Sequence, residues 1–189
     1  MDINKISKKD MGYIIGLFLG DGYKNYNKND RHYRVEFYLN SLKDLDILKR
    51  MNLILKKMEL TPFTLKDKRC NSIKIYVNSK EFFNFIENEV NMLKKLKLNK
   101  DYKMGLISGF IDAEGYVGHG DIVLTQGDKQ TLLFFQKICE NYDLKNRIYW
   151  SKSYGMGKGV WRLRVSTTFK YLSHNSCKVN RIYPNNISL

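Results

Sequence analysis

Two carboxylates, Asp21 and Glu114, end two similar short stretches of this sequence. Each follows an apolar segment with small residues, at positions 14–22 and 107–115, and each is followed directly by glycine. Two carboxylates that meet form a site for a hard divalent ion such as Mg²⁺, which takes oxygen ligands and keeps water and phosphate in its remaining positions. Such a pair is typical of a phosphodiester-cleaving centre.

The spacing of small residues predicts the elements that position these acids. Small residues recur every fourth position, which places them on one face of a helix. Glycine inside a helix costs about 1 kcal/mol of helix stability relative to alanine. We therefore expect the two small-residue faces to contact each other, because small residues let two helices approach closely. Packed in parallel, the helices bring both acids to their C-terminal ends, where the dipole is negative and a cation is favoured. The small residues are Gly12, Gly16 and Gly20 in one helix and Gly105, Gly109 and Ala113 in the other.

The two motifs resemble those of the LAGLIDADG family of homing endonucleases. Either segment alone is also typical of an ordinary buried helix capped by Gly22 or Gly115, but the matched pair favours the family. The copies depart from the family motif at Leu19, the sixth position of the first, and at Glu114, which replaces the commoner aspartate.

The resemblance implies the fold and the organisation of the chain. It implies an α+β fold, a pseudo-twofold duplicate of αββαββα halves, with antiparallel saddle-shaped sheets and the two motif helices packed at the centre. The expected halves are residues 1–98 and 99–189. Two motifs in one chain imply a monomer.

Hydrophobic periodicity predicts the same order of elements after each motif. In the first half we expect a polar turn at 24–31, a strand at 33–40, a helix at 42–58, a hairpin of strands 63–66 and 73–77, and a helix through Phe82, Phe83 and Ile86 capped by Asn78 or Ser79. In the second half we expect a strand at 121–126, a helix at 129–142, a hairpin of strands 147–152 and 160–166, and a short helix near 169–172.

Charge and strand alternation indicate a polyanionic partner. Lys and Arg (33) exceed Asp and Glu (19), for a formal net charge of +14, which favours nucleic acid through phosphate contacts. Several strands alternate apolar with cationic or aromatic residues, and the family's sheets lie in the DNA major groove, where arginine can contact guanine. An ordinary solvated sheet face is the alternative. The candidate DNA-binding residues are Arg34, Tyr38, Lys66, Lys74, Tyr76, Arg147, Tyr149, Arg162 and Arg164.

The resemblance also implies a reaction. It implies site-specific double-strand cleavage of a long, asymmetric double-stranded DNA target by metal-dependent phosphodiester hydrolysis. Mg²⁺ is the implied cofactor, and Mn²⁺ is a candidate substitute. The implied metal site consists of Asp21 and Glu114 with the adjoining Gly20 and Ala113.

Three further residues are implied as catalytic. Asn40 and Gln126, at the end of the strand after each motif, are the candidates for positioning water or metal through their amides. Lys24 is the candidate basic residue near the scissile phosphate, although it could equally be a solvated turn lysine. The corresponding position after Glu114 is Val117.

Two alternatives use the same fold without cleavage. One is an RNA maturase, an intron-splicing cofactor with intron RNA as its partner, and the other is a non-catalytic DNA-binding regulator. The intact acids favour cleavage over both. A self-associating structural protein would leave the cationic strand faces without a purpose.

Other classes of protein are disfavoured. The longest apolar run, residues 13–19, falls short of the ~20 residues of a membrane span, and the N-terminus lacks the apolar core of a signal peptide. We therefore expect a cytoplasmic or nucleoid-associated protein, with an organelle not excluded. Cys70, Cys139 and Cys177 are odd in number and widely spaced, so they predict neither a disulfide framework nor a zinc site.

Overall fold

The computed structural model describes residues 1–28, 31–67, 70–93, 98–118, 120–152, 159–166 and 176–183. After a short 3-10 helix, Ile3–Lys5, the first half contains α1 (Lys8–Asp21), β1 (Gly22–Asn27), β2 (His32–Asn40), α2 (Leu45–Lys57), β3 (Phe63–Asp67), β4 (Ser72–Asn78) and α3 (Lys80–Met92). The second half contains α4 (Lys100–Glu114), β5 (Gly115–Val117), β6 (Asp121–Gln126), α5 (Lys129–Glu140), β7 (Asn146–Ser151), β8 (Val160–Ser166) and α6 (Cys177–Ile182).

The predicted α+β duplicate is confirmed. The elements follow the order α-β-β-α-β-β-α in the first half, and α4 to β8 repeat the first six of these elements in the second. Each half forms one antiparallel four-stranded sheet, with strand orders β1-β2-β4-β3 and β5-β6-β8-β7. The helix predicted near residues 169–172 lies outside the described residues.

Helices α1 and α4 pack against each other in parallel at the centre, as predicted. A Cβ atom added at Gly16 would lie 2.1 Å from the Leu106 carbonyl oxygen, and one added at Gly109 would lie 2.1 Å from the Tyr13 carbonyl oxygen. Both distances are far below any van der Waals contact, so the backbones touch where glycine removes the side chain. The close approach explains why helix-weakening glycines occur in both helices.

The core lies between these helices and the inner faces of the two sheets. The predicted alternation is clear in β4, where Ile73, Ile75 and Val77 are buried and the residues between them are partly exposed. Leu163 and Val165 are buried in the same way in β8. Each sheet therefore presents one face to the helices and a second, outer face that the helices leave uncovered.

The polar turn predicted at residues 24–31 is wrong in its extent. Residues Gly22–Asn27 form strand β1, which pairs antiparallel with β2 from Gly22 opposite Phe37 to Asn27 opposite His32. This segment is polar although it forms a strand, because it lies at the edge of the sheet, where side chains need not be apolar. Helix α3 is capped by Ser79 rather than Asn78, since the Ser79 hydroxyl accepts a hydrogen bond from the Phe82 N–H.

No helix in the described part of the chain is long and apolar enough to cross a membrane.

Candidate functional site

Asp21 and Glu114 lie side by side, each as the last residue of a central helix. Asp21 ends α1 and Glu114 ends α4. A Cβ atom added at Gly20 would lie 2.4 Å from the Ala113 Cβ and 2.8 Å from the Glu114 Cγ. The small residues predicted as part of the site, Gly20 and Ala113, are therefore the contact that allows the two acid-bearing ends to meet.

The two carboxylates are held in an environment that opposes their negative charge. Burial and, next, the charge of Glu114 raise the pKa of Asp21 to about 7, while the charge of Lys178 acts in the opposite direction. Burial also raises the pKa of Glu114, again opposed by Lys178. Two partly buried acids at the negative ends of two helix dipoles are a poorly compensated pair, which a divalent cation would stabilise.

The side chains fit a cation held by few protein ligands. Among the described residues, no group of three or more His, Cys, Asp or Glu side chains could hold a metal ion. An ion here would be held by Asp21 and Glu114, with water and substrate phosphate in its remaining positions, as is usual for Mg²⁺. The Ala113 carbonyl oxygen already accepts a hydrogen bond of 3.0 Å from the Lys178 Nζ.

Gln126 lies next to Glu114, whereas Asn40 does not occupy the matching position near Asp21. The Gln126 Nε2 is 3.5 Å from the Glu114 Oε1. The Asn40 Oδ1 accepts hydrogen bonds of 3.0 Å from the backbone N–H groups of Leu42 and Lys43. The Asn40 amide thus holds the turn that follows β2.

Lys24 faces away from the outer side of the first sheet. It pairs with the buried Val35 across β1 and β2, so its side chain shares the helix-facing side of the sheet. Its Nζ lies 3.2 Å from the Glu87 Oε1 and 4.6 Å from the centre of the Phe83 ring, both on α3. These contacts hold the Lys24 side chain against α3. A role of Lys24 near a scissile phosphate stays a prediction.

Lys178 is the basic residue that the structure brings to the acids, and sequence analysis missed it. Its Nζ donates hydrogen bonds to the carbonyl oxygens of Ala113, at 3.0 Å, and Gly115, at 3.1 Å, which flank Glu114 in the chain. Its sequence neighbourhood belongs to neither motif and carries no recognisable spacing. Only the packing of α6 against α4 reveals the position.

The outer face of the first sheet gathers four of the predicted DNA-binding residues around one acid. Buried Glu36, 4% exposed, accepts a hydrogen bond of 2.6 Å from the Tyr38 hydroxyl and lies 3.3 Å from the Lys74 Nζ and 3.6 Å from the Arg34 Nη1. Burial alone would raise the pKa of Glu36, but the hydrogen bonds from Tyr38 and Lys74 and the nearby positive charges hold it below its ordinary value. The Arg34 guanidinium stacks 4.5 Å from the centre of the Tyr76 ring.

The outer face of the second sheet holds the other four predicted residues that share a face. Arg147 pairs with Arg164 and Tyr149 pairs with Arg162 across β7 and β8, and directly opposite residues lie on the same side of a sheet. Arg164 forms an ion pair with Asp121 on β6. This face is cationic and aromatic, as expected.

Lys66 lies on the opposite side of its sheet from Lys74. It pairs with Ile73 across β3 and β4, which puts its exposed side chain on the helix-facing side at the sheet edge. The neighbouring residues on the outer face are instead apolar: Phe63 is 45% exposed and Leu65 is 60% exposed. Lys66 therefore does not share the outer face with Lys74, because successive side chains of a strand point to opposite faces of the sheet.

The comparisons with known proteins agree with this fold. Residues 101–171 match the LAGLIDADG-like domain family. The structure is similar to that of I-DmoI in complex with DNA and Ca, with 20% identity over 90% of this chain and 92% of that chain and a TM-score of 0.74. A structure of variants of that protein describes I-DmoI as a homing endonuclease.

Two further similarities extend the comparison. Full-length DUF199/WhiA from Thermatoga maritima has 13% identity over 93% of this chain and 58% of that chain, with a TM-score of 0.63. Uncharacterized protein MJ0398 of Methanocaldococcus jannaschii is 26% identical over 154 residues, or 80% of this chain. The chain spans about half the length, 55%, of this curated relative.

The paired motifs and the fold are similar to those of LAGLIDADG proteins. Residues 101–171 are a LAGLIDADG-like domain, and the chain as a whole has the LAGLIDADG fold. The family resemblance indicated by the sequence is therefore confirmed.

Proposed function

We propose that this protein is a site-specific DNA endonuclease that makes double-strand breaks in a long, asymmetric target by divalent-metal-dependent phosphodiester hydrolysis. One observation carries the proposal: Asp21 and Glu114 meet at the ends of the two central helices, in a protein whose sheets both present cationic outer faces. The proposal includes Mg²⁺ as the cofactor, with Mn²⁺ as a substitute, and a monomer built from halves 1–98 and 99–189.

The residues of the site would have different roles in cleavage. Asp21 and Glu114 would hold the divalent ion, which when bound activates water and stabilises the leaving oxygen. The Gln126 Nε2 lies 3.5 Å from the Glu114 Oε1 and would orient water there. Arg147, Arg162 and Arg164 on one sheet would contact bases or phosphates in the major groove.

The outer faces support an asymmetric target. The first sheet offers Arg34 and Lys74 bound to Glu36, beside the exposed apolar Phe63 and Leu65. Apolar side chains can contact the methyl group of thymine, whereas arginine pairs best with guanine. Because the two faces differ in chemistry, we expect them to read different half-sites.

The test is cleavage of a randomised duplex-DNA library with Mg²⁺, in which newly made ends are captured and sequenced. We expect sequence-specific double-strand breaks from the wild type and none from Asp21→Asn or Glu114→Gln, while both variants keep binding DNA. Glu140→Gln, which changes an exposed acid at the end of α5, is the matched control and should cut normally. Unchanged cleavage by both site variants would overturn the assignment of the acids.

A second candidate function is DNA binding without cleavage. The observation that favours it is the hydrogen bond of 3.0 Å between the Lys178 Nζ and the Ala113 carbonyl oxygen, which places a cation of the protein's own beside the acids. DNA retention without breaks under Mg²⁺ and Mn²⁺ would support this function. Preferential retention of structured intron RNA would support the maturase instead.

A further inference from the structure

The C-terminal segment 176–183 is fixed to the second motif helix by a buried acid, Asp112. This carboxylate is 1% exposed. Its Oδ1 accepts hydrogen bonds from the Ser176 hydroxyl at 2.6 Å and the Lys178 N–H at 2.9 Å, and its Oδ2 accepts from the Tyr13 hydroxyl at 2.7 Å and the Cys177 N–H at 2.9 Å. Four donors satisfy one buried carboxylate, so the start of α6 has a single defined position on α4.

The far end of the same segment is tied to the first half of the chain. The Arg181 Nε donates a hydrogen bond of 2.9 Å to the Asp46 Oδ2, and its Nη2 lies 3.4 Å from the Asp44 Oδ1. The segment thus connects α4 to the start of α2. Lys178 lies between these two attachments and is held in place by both.

Lys178 points back along α4 to the end that carries Glu114. Its Nζ donates to the carbonyl oxygens of Ala113 and Gly115, at 3.0 and 3.1 Å, so the ammonium lies at the negative end of the helix. Its positive charge favours the ionised forms of both Asp21 and Glu114.

We propose that Lys178 is a built-in cation of the acid pair, and that it competes with the divalent ion for the space and the charge of the site. Lys178 acts as a positioning residue through the Ala113 carbonyl and the two acids. The inference rests on the proposed metal-dependent function. Its consequence is that the C-terminal segment sets the affinity for metal while it stabilises the acid pair when no metal is bound.

Lys178 would oppose metal binding in two ways, through its charge and through a carbonyl oxygen that it shares with the metal site. A fixed ammonium beside two carboxylates reduces the negative potential that attracts a divalent ion. The Ala113 carbonyl, if it contributes to the metal site, must first release the Lys178 Nζ. Both effects weaken binding, so removing the charge at Lys178 should tighten it.

The experiment is calorimetric titration of the full chain with Mn²⁺, after removal of metal with EDTA and dialysis, without DNA. We expect Lys178→Met to bind Mn²⁺ about tenfold more tightly than the wild type, the order expected for removing one nearby unit charge. Lys178→Arg retains the charge and should bind as the wild type does. Lys57→Met, which changes an exposed lysine at the end of α2, is the matched control and should leave Mn²⁺ affinity unchanged.

A second measurement keeps the inference testable if Lys178→Met folds poorly. Lys178→Gln retains a donor for the Ala113 carbonyl without the charge, and it should also bind Mn²⁺ more tightly. Wild-type binding with no tightening in Lys178→Met or Lys178→Gln would overturn the inference alone. Absence of Mn²⁺ binding in the wild type and every variant would overturn the proposed metal-dependent function and the inference with it.

Discussion

Leu39 occupies in the first sheet the position that Gln126 occupies in the second. Gly22 pairs with Phe37 at the start of one sheet, and Gly115 pairs with Leu124 at the start of the other. Two residues further along each strand come Leu39, which is 4% exposed, and Gln126, whose amide reaches Glu114. The two halves of the acid site are therefore unequal, because only Glu114 has an amide neighbour from this strand position.

This inequality predicts unequal cutting of the two DNA strands. Gln126→Ala should slow the hydrolysis of one strand by up to about a hundredfold and leave the other nearly unchanged, because misplacement of a reacting group by about 1 Å costs on that order. The measurement is cleavage of a supercoiled plasmid carrying the target, in which nicked circles should accumulate.

Asn40→Ala is the control for that experiment. Its amide holds the turn after β2 rather than an acid, so it should lower thermal stability modestly and leave the ratio of nicked to linear product unchanged. Nicked circles in Asn40→Ala but not in Gln126→Ala would contradict the register argument.

Removal of the negative charge of Glu36 is expected to reduce the selectivity of the protein for particular DNA sequences. Glu36→Gln should free Arg34 and Lys74 from their acid partner, so that both bind phosphates of any sequence. We expect tighter binding to random DNA and a salt dependence that steepens by about one for each freed cation. Fluorescence anisotropy at several salt concentrations measures both.

The matched control for Glu36 is again Glu140→Gln. Glu140 is an exposed acid at the end of α5, and its removal changes the net charge of the protein by the same amount. An equal gain in random-DNA affinity in both variants would show that net charge, rather than the Glu36 cluster, is responsible.

Because α1 and α4 are in close contact, one methyl group added between them is expected to lower the stability of the fold substantially. In Gly16→Ala the new Cβ would lie 2.1 Å from the Leu106 carbonyl oxygen. Because that oxygen belongs to the backbone of α4, the clash can be relieved only if α1 and α4 move apart. Overpacking of this kind costs about 1–3 kcal/mol or more, or roughly 2–4 °C of melting temperature per kcal/mol in a chain of this size. Gly127→Ala, where nothing lies within 4 Å of the added atom, should melt near the wild type in the same thermal scan.

The raised pKa of Asp21 predicts how metal-free stability depends on pH. Since this pKa is raised to about 7, the folded protein retains a proton that the unfolded chain releases from about pH 4 upward. Stability therefore falls as the pH rises from about 4 to about 7. Asp21→Asn removes this loss, so its melting temperature in EDTA should exceed that of the wild type by more at pH 8 than at pH 5. An equal difference at both pH values would contradict the assignment of this proton to Asp21.

Much of the fold follows from local sequence. The glycine spacing of the motifs predicted the parallel contact of α1 and α4, and the apolar alternation of residues 73–77 predicted which face of β4 is buried. Both patterns are strong because a wrong residue at any one position would break a close contact or expose apolar surface. The pattern is weak in β1 and β3. The turn predicted at residues 24–31 was wrong in its extent because β1 extends into it as far as Asn27, and Lys66 on β3 lies on the helix-facing side of its sheet.

The sequence by itself determined the two motif helices, the duplicated order of elements and the excess of positive charge, since these depend on spacing and composition within short segments. Only the tertiary structure decided which lysine stands beside the acids. Lys24, close to Asp21 in the chain, is turned toward α3 by the alternation of an edge strand. Lys178, far from either motif, is carried to Glu114 because Asp112 fixes the start of α6 on α4. Long-range packing, which no local pattern encodes, determines which lysine lies beside the acids.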